Sequence, residues 1–209
     1  MINNAVNGVI KIDGTDMDYV SFGKGKDVLV MLPGLGDGLR TVKGMAAAMA
    51  VTYRMYAKDY RVYIFSRKNH FKIVQEVVGK WIRFAKQGNY KALMIDTAEK
   101  SYSENYLKKY RRFYPLLGRI GKPEDFKRFI IQAVSCMEHD AYGELENIRC
   151  PVLIIGGDSD RIIGKEASVE MDDRIENSRL YVYKGLGHGL YEETKDFNRR
   201  VMDFLSEER

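Results

Sequence analysis

Between Cys150 and Gly189 the chain twice runs a short apolar stretch into a glycine-rich loop bearing a titratable side chain, a pattern few folds accommodate. The first stretch, Val152 to Ile155, breaks into Gly156, Gly157, Asp158 and Asp160. The second, Leu180 to Tyr183, breaks into Gly185, Gly187, His188 and Gly189. Apolar runs of this length bounded by glycine read as buried strands. The helix-like spacer 165–175 makes the pair a β-α-β unit of a parallel sheet. In such sheets chemistry gathers outside the carboxyl ends of the strands, so Asp160 and His188 are expected side by side as an acid and base pair. A carboxylate beside an imidazole fixes its tautomer and stabilises the imidazolium formed in general-base catalysis.

Upstream, Val9 to Ile12 and Met17 to Phe22 flank Asp13-Gly14 and signal a β-hairpin. Val28 to Leu32 is apolar throughout and suits the interior of a parallel sheet. It leads into Pro33-Gly34-Leu35-Gly36-Asp37-Gly38, where glycines leave backbone N–H groups free to face an anion ahead of a helix. That helix is expected over Val42 to Tyr56 with Thr41 as its cap. Arg61 to Ser66 reads as the next strand, followed by a polar loop in which His70 is a surface residue or a ligand contact. From Phe71 to about Tyr142 the pattern turns helical. Val74, Val77, Val78, Trp81 and Ala85 share one face, and Pro123 is expected to open a helix that aligns Phe126, Phe129, Ile130, Ala133, Val134 and Met137. A closing amphipathic helix follows over Tyr191 to Leu205.

The order of these motifs resembles the α/β-hydrolase family. There the triad acid follows one of the last strands in a G-x-x-D setting, matched here by Gly157 to Asp160, and the triad histidine follows the final strand in a G-H setting, matched by Gly187 and His188. The resemblance implies Asp160 as acid and His188 as base. It also implies an oxyanion loop in which Gly34 and Gly36 match the two glycines and Leu35 contributes its backbone N–H, although Pro33 stands where the family often has histidine. The helices ahead of the acid strand resemble that family's lid. The nucleophile elbow, usually G-x-S-x-G, has no counterpart in the sequence. Ser66, Ser135 and Ser159 lack the elbow setting, and Cys136 sits in an apolar helical neighbourhood where thiols are inert.

With 209 residues and 45% apolar content the chain can bury one full core. Its 34 basic and 29 acidic residues give a net charge of +5. The most basic part holds Lys108, Lys109, Arg111, Arg112, Arg119, Lys122, Lys127 and Arg128 among Tyr106, Tyr110 and Tyr114. Interleaved cations and aromatics suit nucleic acid or an anionic surface, but no nucleic-acid module accompanies them and a solvated helical face is the expectation. Cys136 and Cys150 form no metal or redox spacing, and the three histidines lack HxH or HxxxH spacing. No metal and no cofactor is expected. The N-terminus lacks a basic region followed by an apolar one, which points to a cytoplasmic protein.

The expectation is therefore an α/β fold, a mostly parallel sheet with an N-terminal hairpin, flanking helices and a helical lid insertion: a truncated α/β-hydrolase fold. Residues 1–70 and 143–209 would form the core and 71–142 the insertion, in a single structural domain. The expected function is that of an ester or acyl hydrolase by ancestry, weak or inactive without its nucleophile, or a non-catalytic ligand-binding or protein-interaction member of the same fold. Expected partners are a small apolar or ester-like ligand, with no nucleic acid and no membrane. Losing the elbow strands would leave Val28 to Leu32 and Val152 to Ile155 with open edges. The two are expected to pair directly in a monomer, or else the gap is filled by strand exchange in a homodimer.

Overall fold

The computed structural model describes residues 4–12, 15–32, 41–65, 75–119, 121–138 and 142–207. It comprises two compact units, Met1–His70 with Pro123–Ala133, and Phe71–Lys122 with Val134–Arg209.

The first unit is built on a four-stranded sheet in the order β1-β2-β4-β3: β1 (Val6–Ile12), β2 (Thr15–Phe22), β3 (Asp27–Met31) and β4 (Tyr60–Phe65). β1 and β2 form the expected antiparallel hairpin, β2 continues antiparallel to β4, and β4 takes β3 in parallel, with Leu29 opposite Val62 and Met31 opposite Ile64. Val20, Phe22, Val62 and Ile64 are buried, and α1 (Ala46–Thr52) lies against β2 and β1 through its buried Ala46 and Ala50. This helix is shorter than the expected span of 42–56. Gly44 has a φ of +78°, outside the helical region, so the helix cannot begin before it. Asn7 Oδ1, not Thr41, accepts the N–H of Ala46, at 3.2 Å.

The ladder expected between Val28–Leu32 and Val152–Ile155 does not form. Among the described residues β3 pairs with β4, and β5 (Val152–Gly157) pairs with β6 (Ser178–Tyr183). β3 therefore ends its sheet, and Val28, Val30 and Leu32 are 60%, 53% and 65% exposed, although the sequence reads apolar on both faces.

The second unit opens with α2 (Gln75–Lys86) and α3 (Tyr90–Ser101). On α2 the expected Val78, Trp81 and Ala85 are buried together with Ile82, Val77 is half-buried and Val74 lies outside the described residues, while Tyr90 and Leu93 are buried on α3. Asp96 on α3 accepts from Lys80 Nζ at 2.5 Å and from Trp81 Nε1 at 2.9 Å, pinning the pair. Asn89 caps α3, and Ser103 caps α4 (Glu104–Tyr110) by accepting from Tyr106 N at 3.3 Å. A 3₁₀ turn leads to α5 (Tyr114–Leu117). α6 (Lys127–Glu138), whose residues up to Ala133 belong to the first unit, begins four residues after Pro123, because the Asp125 carboxylate, not proline, supplies the start by accepting from Lys127 N at 2.9 Å.

β5 and β6 run parallel with Ile154 opposite Leu180, joined through α7 (Gly164–Arg174), which packs on both. The expected closing helix is divided into α8 (Leu190–Glu193) and α9 (Asp196–Glu207), separated at Thr194, whose backbone is extended. α9 lies on β6: Tyr183 donates its hydroxyl to Asp196 at 2.9 Å, and the Arg200 guanidinium stacks 3.5 Å from the Tyr181 ring centre. Among the described residues no helix is long and apolar enough to cross a membrane.

Candidate functional site

The ends of β5 and β6 are laced together before either loop departs. Asp158 N donates to Tyr183 O and Ser159 N to Leu186 O, both at 3.0 Å, and Gly185 N donates to the Asp158 carboxylate at 2.6 Å. This lacing leaves Asp160 facing His188. The aspartate side chain is 6% exposed and the histidine 42%. Asp160 Oδ1 accepts from the backbone of Ile162 at 2.7 Å and Ile163 at 3.1 Å, while Oδ2 meets His188 Nδ1 at 2.8 Å. Burial acts to raise the Asp160 pKa. The hydrogen bond from His188, the Ile162 N–H, the imidazole's charge and the Ile163 N–H together outweigh it and hold the carboxyl below its ordinary value. With the carboxylate ionised, Nδ1 carries the proton and donates it to Oδ2, leaving Nε2 as the basic nitrogen. That is the arrangement a general base needs.

The loop carrying His188 is fixed from three sides. A Cβ on Gly157 would stand 2.3 Å from Leu186 O, one on Gly187 2.6 Å from Ser101 O, and one on Gly189 2.5 Å from a Tyr102 ring carbon, so backbone and ring approach where only glycine fits. Gly189 N donates to Ser101 O at 2.7 Å. Glu193 then ties the loop to the start of α4: its Oε1 accepts from Gly187 N at 3.0 Å and Ser103 N at 3.1 Å, and its Oε2 accepts from the Ser103 hydroxyl. Beside it the Tyr102 hydroxyl donates to Glu192 at 2.6 Å, and Arg161 donates to Tyr102 O at 2.8 Å. Burial, followed by the Glu192 carboxylate, pushes the Tyr102 phenol far up, so it stays protonated as a donor. A cleft of about 420 Å³ opens next to Asp160, lined by Ser103, Asn105, Ser159 and Arg161 among others.

The structure thus brings Asp160 and His188 together. Gly34, Leu35 and Gly36, with Ser66 and His70, lie outside the described residues. Ser159 sits beside the pair in sequence, but its hydroxyl donates to Asp158 at 3.0 Å, and Ser135 and Cys136 lie on α6. Among the described residues no group of three or more His, Cys, Asp or Glu is placed to hold a metal ion. Sequence reasoning missed Glu193, Tyr102 and Arg161. The one available signal was the acidic pair Glu192-Glu193 opening a helix just after the G-H motif.

No family model matches the chain. Over 85 residues, 40% of this chain, it is 35% identical to a protein of Caulobacter sp. (strain K31) named as a RutD carbamate hydrolase. Over 66 residues, 31% of this chain, it is 38% identical to the 2-hydroxy-6-oxo-2,4-heptadienoate hydrolase of Pseudomonas putida. The matched stretches span 31% and 24% of those relatives. Among solved structures, MGS-M2, an alpha/beta hydrolase enzyme from a Medee basin deep-sea metagenome library, superposes with a TM-score of 0.75 at 16% identity, covering 95% of this chain and 97% of the other. The enol-lactonase of Burkholderia xenovorans LB400 superposes with a TM-score of 0.72 at 13% identity, covering 95% and 100%. With the hairpin, the parallel strands and these likenesses in agreement, the chain has the α/β-hydrolase fold.

Proposed function

We propose that the protein descends from carboxyl-ester or related acyl hydrolases, keeps their acid and base in Asp160 and His188, and lacks the serine elbow. It holds a small apolar or ester-like ligand and turns it over weakly or not at all. The observation that carries this reading is the 2.8 Å bond between His188 Nδ1 and a buried Asp160 Oδ2 on adjacent strand ends. Relatives named for carbamate, enol-lactone and ester substrates support an acyl group as the ligand's reacting part. In this reading the helical block around α3 and α4 serves as a lid. Nε2 of His188 activates at most a water, since the sequence offers no serine in an elbow. Removing a triad nucleophile leaves about 10³–10⁴-fold catalysis over water from binding and oxyanion contacts. Cys136 and Cys150 form no disulfide, which fits a reducing cytoplasm.

The test is reaction with a fluorophosphonate probe, alongside hydrolysis of short p-nitrophenyl esters. The expected result is no covalent label and no hydrolysis beyond an equal concentration of free imidazole. Stoichiometric labelling of Ser66, Ser135 or Ser159 overturns the reading.

The cleft beside Asp160 favours a second reading, a binding protein with no chemistry. Calorimetry of an acyl ester against wild type and His188→Ala separates the two. Equal affinity for both proteins, with no ester turnover by either, favours the binding protein.

A further inference from the structure

Between Glu104 and Glu124 the chain carries six cations and no carboxylate: Lys108, Lys109, Arg111, Arg112, Arg119 and Lys122. The whole chain has 34 basic residues against 29 acidic, so without these six the balance is 28 against 29. The molecule's entire positive excess is therefore concentrated on α4, α5 and the turns beside them.

The structure separates these cations into two kinds. Arg111 is neutralised: it makes a two-pronged bond to Glu99 at 2.9 Å and reaches Glu104 at 2.5 and 2.9 Å, while Tyr114 donates to the same Glu99 at 2.9 Å. Its role is to hold α3, α4 and the following turn in one shape. Lys108, Lys109, Arg112, Arg119 and Lys122 are exposed. Among them stand large apolar side chains that the fold also leaves open, Tyr110 at 44%, Phe113 at 43% and Leu116 at 46%. The Arg112 guanidinium lies 4.8 Å from the Phe113 ring centre. Leu107 on α4 is 1% exposed and anchors the segment.

We infer that this segment is a docking surface for an anionic lipid bilayer. Cations interspersed with exposed Phe, Leu and Tyr side chains suit a headgroup layer with an apolar layer directly beneath it: the cations meet the lipid phosphates and the apolar side chains enter the acyl boundary. Nucleic acid would use the cations and tyrosines but gives Leu116 nothing to bury in. This departs from the sequence expectation of no membrane partner, which rested on the lack of a spanning stretch and could not see which apolar residues the fold leaves open. Tyr110, Tyr106 and Tyr102 continue from the patch as a stack, with ring centres 4.3 and 4.6 Å apart, ending against the His188 loop. A docked molecule therefore presents its Asp160–His188 pair near the bilayer surface, where apolar ligands concentrate.

The experiment is co-sedimentation of the full chain with vesicles of phosphatidylcholine alone and of phosphatidylcholine with phosphatidylserine, at low and high salt. Three forms are compared: wild type, Lys108→Gln/Lys109→Gln and Phe113→Ser/Leu116→Ser, each checked for unchanged circular dichroism. The expected result is binding to the anionic vesicles only, lost at high salt. Each cation removed should weaken partition about fivefold, and the serine pair should weaken it as well. Wild-type protein that stays in the supernatant with anionic vesicles overturns the inference. So does partition that ignores both double variants, or tighter binding to a single-stranded oligonucleotide that Phe113→Ser/Leu116→Ser leaves unchanged.

Discussion

Replacing Asp160 with Asn preserves the shape of the side chain and removes its charge, isolating what the carboxylate contributes. In the folded protein it accepts from His188 at 2.8 Å and from Ile162 N and Ile163 N at 2.7 and 3.1 Å. Hydrogen bonds to an ionised acceptor contribute about 1.5–3 kcal/mol each and neutral ones about 0.5–1.5 kcal/mol. The amide keeps the two backbone bonds in their weaker form. Its NH₂ turns the third into a neutral bond to Nδ1 once the imidazole proton shifts to Nε2, so the three weakened bonds together make a gross loss of about 4 kcal/mol. Removing a charge from a site only 6% exposed returns about half of that, for a net destabilisation of about 2 kcal/mol near neutral pH.

The dependence on pH follows from the direction of the Asp160 shift. Its folded pKa lies below the ordinary 3.8, so the stabilisation is complete above 3.8 and disappears as the pH falls through the lower folded value. Urea unfolding of wild type and Asp160→Asn, near neutral pH and in steps below 3.8, should show midpoints that differ and then converge in acid. Nitrogen NMR of His188 should show its proton on Nδ1 in wild type and on Nε2 in the variant. Equal midpoints near neutral pH, or a difference that persists unchanged in acid, would refute the reasoning.

Gly187→Ala should destabilise by at least about 2 kcal/mol, because its Cβ would meet the backbone oxygen of Ser101 at 2.6 Å; thermal denaturation measures it. Glu193→Ala strands the N–H groups of Ser103 and Gly187 and the Ser103 hydroxyl, at a cost of about 2–3 kcal/mol. Amide exchange should accelerate at Ser103 and Gly187 while protection within β5 holds. Val30→Lys places a charge on the exposed apolar row of β3 and should lower self-association, read by light scattering, with a stability change within about 0.5 kcal/mol. An unchanged molar mass distribution would show that this strand does not drive association.

The juxtaposition of Asp160 and His188 was legible because each depends on local sequence: an apolar strand fixes its own direction, and the glycines after it force a turn at the strand's end. Asp160 and His188 therefore follow from two short runs and the rule that joins parallel neighbours, and the β1–β2 hairpin from its alternation about Asp13-Gly14. Helix boundaries were less legible where a single residue decides them, as Gly44 does for α1 and Asp125 for α6. What only the tertiary structure decided is long-range. Glu193 holds Ser103 across a separation of 90 residues, and nothing near Ser103 in sequence announces that partner. An apolar run such as Val28 to Leu32 can be covered on both faces or on one, since hydrophobicity states that burial is favourable but not which element supplies it. Likewise the cations of α4 and of the turn after it read alike in sequence. Only the fold, by closing Glu99 and Glu104 on Arg111 and leaving its neighbours open, separated the structural charge from the charges that face outward.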